Sequence, residues 1–216
     1  MKTPVQFKIC GLTSAFDARE AARLGASFLG FNLYPPSPRH VTLPAFRAFA
    51  PGLPQARRVA VLVEPDDAAL ADAADAGFDL FQVHFRHDAA PSRVDAWSAA
   101  VGAGRLWLAP RLPPGTSCRA EGLPLAHAFM LDSYDERLFG GSGRPGNWAG
   151  FSVLRAAHPD HTWILAGGLD PSNAARAVRE SGAAIVDVCS GVETSPGIKD
   201  AAKMAAFAAA IAGLAA

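Results

Sequence analysis

Short apolar runs alternate along the chain with longer segments of helical period. The runs at 6–11 (QFKICG), 28–34 (FLGFNLY), 57–63 (RRVAVLV), 80–85 (LFQVHF), 106–112 (LWLAPRL), 126–132 (AHAFMLD), 162–168 (TWILAGG) and 184–190 (AIVDVCS) predict eight strands. Helices are predicted at 14–24, 43–50, 66–75, 91–100, 149–157, 172–181 and 200–212. Most open on a Ser, Asp or Pro signal, such as Ser14 or the DPSN at 170–173. Between strands five and six the stretch PPGTSCRAEGLPL carries too much Pro and Gly for a good helix and reads as a loop. Strand–helix alternation with short connections calls for a parallel sheet. Eight strands and seven or eight helices in 216 residues fit a single α/β domain over 1–216, a (β/α)8 TIM barrel. An open doubly wound sheet is the alternative, and it would usually need fewer strands.

Composition narrows the function classes. Half the residues are apolar and formal net charge is zero, with no basic or acidic run. Nothing in that balance selects nucleic acid or a membrane surface as a partner. No uninterrupted apolar window approaches the ~18 residues of a membrane span. The start, MKTPVQFKICG, has no signal-peptide core. Three cysteines, Cys10, Cys118 and Cys189, are a sparse, odd set that suits a reduced cytoplasmic chain without structural disulfides. The six histidines lack metal-finger spacing, and no metal site is expected.

In a (β/α)8 barrel the chemistry sits where strands run into the following loops. Several predicted strands end there in groups a core would not select: Cys10, His84, Asp132, and Asp187 with Ser190. An aspartate at such a position is often only a helix cap; five polar ends converging on one mouth point to a site. Glycine-bearing stretches follow strands seven and eight, AGGLDPSN and CSGVETSPG. Gly167, Gly168, Ser190 and Gly191 would let backbone N–H groups approach a phosphate. GGSG at 140–143, with Gly141 and Gly143, is a weaker candidate of the same kind or a plain loop. Arg39, in the proline-rich PPSPRH after strand two, suits a bidentate grip on a carboxylate.

Cys10 admits several roles: core filling, metal ligand, nucleophile or acid–base group. Strand alternation places Lys8 and Cys10 on one face and Phe7 and Ile9 on the other. A lysine beside the thiol would favour the thiolate, and a thiolate can act as a base.

Seven stretches in order, KICGLT, LGFNLYPPSPRHV, QVHF, FMLDSY, GGSG, ILAGGLDPSN and VDVCSGVETSPGIKD, resemble the phosphoribosylanthranilate isomerase family over nearly the whole chain. The resemblance implies a (β/α)8 barrel that performs an Amadori rearrangement in tryptophan biosynthesis, with no metal or organic cofactor. The substrate would be the small phosphorylated N-(5-phosphoribosyl)anthranilate, acted on by a monomer or homodimer. It implies Cys10 as general base, Asp132 as general acid and Arg39 as holder of the anthranilate carboxylate. It further implies Asp187, with Lys8 and His84, around the ribose, and phosphate binding at Gly167, Gly168, Ser190 and Gly191, aided by Gly141 and Gly143.

The chain departs from the family pattern at three places. Phe85 replaces a glycine after QVH, which would narrow the aryl pocket; Asn147 stands in GNW where FDW is usual; Cys189 replaces a serine or similar small residue. Two competitors share the barrel. One is another phosphate-binding barrel enzyme, either a synthase needing a Lys–Glu pair or an epimerase needing metal-binding His and Asp. The other is a non-catalytic or divergent sugar-phosphate-binding barrel with a changed aryl pocket.

Overall fold

The computed structural model describes residues 3–113, 125–132 and 147–215. Eight parallel strands close into a barrel in sequence order: β1 (Gln6–Ile9), β2 (Phe28–Asn32), β3 (Arg57–Val63), β4 (Leu80–Arg86), β5 (Leu106–Arg111), β6 (Ala128–Leu131), β7 (Thr162–Leu165) and β8 (Ile185–Val188). Seven helices surround them: α1 (Ala15–Arg23), α2 (Leu43–Phe49), α3 (Asp67–Asp75), α4 (Pro91–Val101), α5 (Trp148–Ala157), α6 (Ala174–Ser181) and α7 (Ala201–Ile211). A small antiparallel hairpin, β9 (Glu193–Ser195) with β10 (Ile198–Lys199), follows β8. All eight predicted strands and all seven predicted helices are present. Most of the loop predicted between strands five and six, with Cys118, lies outside the described residues, as do Gly141 and Gly143 after strand six.

The helices start where side chains satisfy their free first-turn amides. Ser14 Oγ accepts from Asp17 N at 3.1 Å, and Asp66 Oδ1 from Ala69 N at 2.8 Å. Asn147 Oδ1 accepts from Gly150 N at 2.9 Å, so the asparagine of GNW serves as a helix cap. Six of the eight strands end earlier than their apolar runs; β3 and β4 do not. β7 stops at Leu165 because Gly167 and Gly168 take φ of +88° and +63° and turn the chain out of the ladder.

Alternation along the strands makes two cores. Outward residues such as Phe7, Ile9, Phe81 and Phe129 belong to a layer packed against the helices. Phe46 and Phe78 stack there at 4.0 Å between ring centroids. Inward residues fill the barrel itself, with Phe28, Val61, Leu80, Trp107, Met130 and Ile164 among them. Phe28 and Trp107 meet edge to face at 4.9 Å in this inner layer.

The inner layer also holds Lys8, fully buried. Its stem occupies space that exists because residue 30 has no side chain. A Cβ on Gly30 would lie 2.7 Å from Lys8 Cε and 3.2 Å from the Cys10 Cα. Since one of those neighbours is backbone and the other is held by an ion pair, neither yields freely. Gly30→Ala should therefore destabilise the barrel by about 1–3 kcal/mol, the usual cost of overpacking. The denaturant midpoint reports this, and a variant as stable as the parent would show that the space is not needed.

Candidate active site

The mouth of the barrel is built from β1 and β8 outward. These strands pair in register, Lys8 opposite Asp187 and Ile9 opposite Val188, and the Cys10 amide donates to Val188 O at 2.9 Å. Continuing that register sets Cys10 beside Cys189, about one strand spacing of ~4.8 Å away. Lys8 Nζ donates to Asp187 Oδ1 at 2.8 Å, with both side chains buried. Burial opposes the lysine's charge, but Asp187, and after it Cys10, outweigh burial and hold its pKa above the ordinary value.

Cys10 is itself buried. Its pKa is lowered to about 7, first by a hydrogen bond with the Cys189 thiol; burial pushes it up and Lys8 pulls it down. Cys189 moves the opposite way, well above the ordinary thiol value, because its hydrogen bond with Cys10 and its burial both keep its proton on. The two thiols titrate together, Cys10 shifted down and Cys189 up, while the Cys189 thiol also reaches Glu193 Oε1 at 4.0 Å. The sequence assigned the activation to Lys8 alone. Lys8 contributes, but Cys189 contributes more, and Asp187 offsets part of the lysine's effect.

His84, also pointing inward, has its Nε2 2.7 Å from Gln82 Nε2. Burial, and then Lys8, lower its pKa to about 4, so it is a neutral imidazole at working pH. Asp132 follows directly on β6, partly buried, three strands round the barrel from β1. Phe85 overturns an expectation. It alternates with His84 and therefore faces outward, 5.4 Å from Trp97 of α4 in an edge contact. It does not narrow the mouth, and the reason for expecting a changed aryl pocket falls with it.

Arg39 is braced from its own loop. Ser37 Oγ accepts from Asn32 Nδ2 and from the Arg39 amide, each at 3.1 Å. The guanidinium already grips a carboxylate: Glu193 accepts from Nε at 2.9 Å and from Nη2 at 2.7 Å. Glu193 also accepts from Lys199 Nζ at 2.7 Å. Burial would raise the Glu193 pKa, but Arg39 and Lys199 outweigh it and keep the carboxylate ionised. Gly11, at φ +70°, lets the arginine stem pass; a Cβ there would lie 2.6 Å from Arg39 Cδ.

The two glycine loops meet. A Cβ on Gly191 would strike the Leu169 carbonyl and lie 2.9 Å from Asp170 Cα, so only glycine lets the backbone after β8 press against the loop after β7. Asn173 Nδ2 donates to Gly168 O at 2.8 Å and fixes that turn. Ser190 and Gly191 lie in a single 3-10 turn. Gly167, Gly168, Ser190 and Gly191 thus form one contiguous backbone surface.

The sequence brought Cys10, Lys8, Asp187, His84 and Arg39 to the same end of the barrel, as found. It missed Cys189, Gly30, Glu193 and Lys199. Cys189 was within reach of alternation, two residues past Asp187 and hence on the same face. Glu193 and Lys199 stood in the sequence as the acidic and basic letters of the VDVCSGVETSPGIKD motif, with no role assigned to either.

Fold and geometry together define a class: a closed (β/α)8 barrel that gathers titratable side chains and glycine-bearing loops at one mouth. A family model described as N-(5'phosphoribosyl)anthranilate (PRA) isomerase matches residues 7–210. N-(5'-phosphoribosyl)anthranilate isomerase of Paramagnetospirillum magneticum is 38% identical over 212 residues, covering 94% of this chain and 95% of its own length. That of Solibacter usitatus is 39% identical over 201 residues, covering 93% and 94%. The crystal structure of phosphoribosyl anthranilate isomerase from Thermus thermophilus superposes with a TM-score of 0.80 at 32% identity, covering 96% of this chain and 98% of that one. The chain belongs to the phosphoribosylanthranilate isomerase family, and it is an isomerase.

The thiol pair makes a titratable prediction. Cys189→Ala removes the donor that lowers the Cys10 pKa, so the pH midpoint of Cys10 alkylation should move upward from near 7 towards the ordinary thiol value of about 8.5. At pH 7 the variant should react several-fold more slowly. Mass spectrometry of the labelled peptide locates the reacting sulfur, and an unmoved midpoint would remove Cys189 from the account.

Proposed function

We propose that the protein converts N-(5-phosphoribosyl)anthranilate into 1-(2-carboxyphenylamino)-1-deoxyribulose 5-phosphate, a step of tryptophan biosynthesis. The observation that carries this reading is the place of the Cys10 thiol at the mouth, between Lys8 on its own strand and Cys189 on the next, with Asp132 three strands away round the same rim; the lowered pKa of that thiol, about 7, agrees with it. A relative of 26% identity and TM-score 0.73 was crystallised with reduced 1-(o-carboxyphenylamino)-1-deoxyribulose 5-phosphate, a compound that carries the phosphate and aryl carboxylate of this chemistry.

In this reading Asp132 protonates the furanose ring oxygen. The C1'–O bond breaks and an iminium forms between C1' and the anthranilate nitrogen. The Cys10 thiolate then removes the C2' proton, and the electrons move to neutralise the nitrogen. The resulting enolamine tautomerises to the 2-keto product. A base suited to pH 7 needs a pKa near 7, which the thiol pair supplies without a metal ligand or a histidine partner. The neutral His84 fits an orienting role better than a second base. Lys8 and Asp187 lie below the thiol and would orient the ribose hydroxyls. The phosphate is assigned to the Gly167–Gly168 and Ser190–Gly191 backbone, and the carboxylate to Arg39. Gly141 and Gly143 are kept as helpers to the phosphate. One chain supplies every one of these groups, so a monomer suffices and a homodimer is compatible.

The direct test is growth of a tryptophan auxotroph lacking this isomerase, together with loss of anthranilate-type fluorescence when substrate generated in situ is supplied. Failure of both would sink the assignment. Cys10→Ala and Asp132→Asn should each lower kcat by roughly 10²-fold or more, the scale of general acid–base catalysis, with substrate binding largely retained. A variant that keeps near-full kcat would lose its assigned role.

Phosphate placement is tested separately. Inorganic phosphate should compete with substrate, and Gly191→Ala should weaken that competition because the added Cβ would drive the loop after β8 away from Leu169 and Asp170. Competition unaffected by the substitution would place the anion elsewhere.

A further inference from the structure

The hairpin after β8 contains a charge cluster that no step of the reaction above employs. Glu193 has a side chain only 3% exposed and that of Lys199 is fully buried. The glutamate receives five donors: Arg39 Nε and Nη2 at 2.9 and 2.7 Å, Lys199 Nζ at 2.7 Å, the Gly197 amide at 3.4 Å and the Cys189 thiol at 4.0 Å. Lys199 Nζ also donates to the Cys189 carbonyl at 3.2 Å. The cluster ties three loops together. Thr13 Oγ1 donates to Gly197 O at 2.9 Å, and a Cβ on Gly197 would lie 2.7 Å from Pro38 O. The loops after β1, β2 and β8 are therefore one rigid unit around the guanidinium.

Two features of this cluster bear on a ligand. The first is geometric. Glu193 occupies the side-on edge of the guanidinium, formed by Nε and Nη2. The end-on edge, formed by Nη1 and the second N–H of Nη2, has no hydrogen-bond partner among the described residues. That edge has the fork spacing of a carboxylate. The second is electrostatic. Arg39 and Lys199 carry two positive charges against one on Glu193, so these three side chains sum to +1 in a part-buried place, and Lys203 Nζ adds a further cation on the Glu193 carbonyl at 2.7 Å. An excess of positive charge held away from bulk water favours an arriving anion.

We propose that Glu193 and Lys199 are positioning residues for carboxylate recognition. Glu193 locks the side-on edge of Arg39 so that the end-on edge is presented ready-made to the aryl carboxylate. Lys199 cancels the charge of Glu193, so the arginine's own charge remains available to the ligand. The proposal rests on the reading of Arg39 as the carboxylate holder and deepens it. The buried glutamate is thus a brace for the cation and not a rival to the ligand. Its advantage is entropic: an arginine side chain free to rotate would lose that freedom on binding, whereas one already held loses little.

The test uses the intact enzyme and two probes: the reduced product analogue, and the same compound lacking its ring carboxylate. Glu193→Gln raises the local charge from +1 to +2. A purely electrostatic site would bind the carboxylated analogue more tightly, whereas a site that depends on the brace binds it more weakly. We expect about a tenfold loss for the carboxylated analogue, the scale of one charge-assisted hydrogen bond, and less than a twofold change for the other. With substrate, KM should rise more than kcat falls. Lys199→Met, which takes the local charge to zero, should show the same selectivity, and Lys199→Arg should recover most of the loss. Competition by inorganic phosphate serves as the control for an intact barrel in each variant. Tighter or unchanged binding of the carboxylated analogue to Glu193→Gln would overturn the proposal, as would equal losses for both analogues. Arg39→Ala separates the two levels of the argument. If it discriminates the analogues while Glu193→Gln and Lys199→Met do not, the brace alone is wrong. If Arg39→Ala itself fails to discriminate, the assignment of Arg39 falls and the brace with it.

Discussion

The buried ion pair between Lys8 and Asp187 is the constraint on which the rest of the mouth depends. It closes the barrel, because its two members face each other across the β1–β8 seam. Taking two charges out of water costs several kcal/mol per ion, and their attraction returns that only when the geometry is good. At 2.8 Å and with Gly30 vacating space for the lysine stem, the geometry is good here. Neither partner can be spared, since the other would be left as a lone buried charge. The pair also sets its neighbours. Lys8 helps keep His84 neutral and favours the Cys10 thiolate, while Asp187 opposes that thiolate.

Because the pair is nearly self-compensating, it cannot by itself make a strong base of the thiol above it. The missing part comes from a second sulfur. The neighbouring Cys189 thiol favours ionisation of Cys10, and its own pKa rises in return. A serine at that position would offer a hydroxyl donor for the same purpose, which explains why a replacement at the heart of the site is compatible with the chemistry. The thiol pair then sits between two charge units of different balance. The unit below, Lys8 with Asp187, sums to zero. The unit beside it, Arg39 with Glu193 and Lys199, sums to +1.

That difference suits a substrate with two anionic ends. In the proposed reaction, backbone amides hold the phosphate and an arginine holds the carboxylate. Backbone dipoles bind an anion without fixing a full charge in the wall, which matters next to a thiolate that must come and go. A side-chain cation is needed where the anion lies on a flat aryl ring and must be gripped by two parallel bonds. The short loops meet through glycine contacts at Gly11, Gly191 and Gly197, each where a Cβ would collide with a neighbouring loop. Rigidity of the mouth therefore comes from missing side chains as much as from hydrogen bonds.

The sequence by itself determined the architecture. The apolar alternation of QFKIC, LFQVH and IVDVC has period two, and the intervening Ala-rich segments have a helical period; local physics is enough to read eight strands and seven helices from them. The same period put Lys8 and Cys10 on one face, strand ends gathered His84 and Asp187 with them, and family motifs pointed to Cys10, Asp132 and Arg39. What the sequence could not supply was any relation between residues far apart in the chain. The Cys10–Cys189 and Lys8–Asp187 contacts follow from closure of the barrel, which sets the first strand against the last in a register that neither strand encodes alone. Phe85 was legible by the same alternation, since it follows an inward His84, but its partner Trp97 on α4 was not. The Arg39–Glu193 grip joins loops 154 positions apart in the chain. Distances and charge sums of this kind arise only when separate elements meet, because electrostatic energy depends on separation and burial, and both are properties of the folded chain and not of its order.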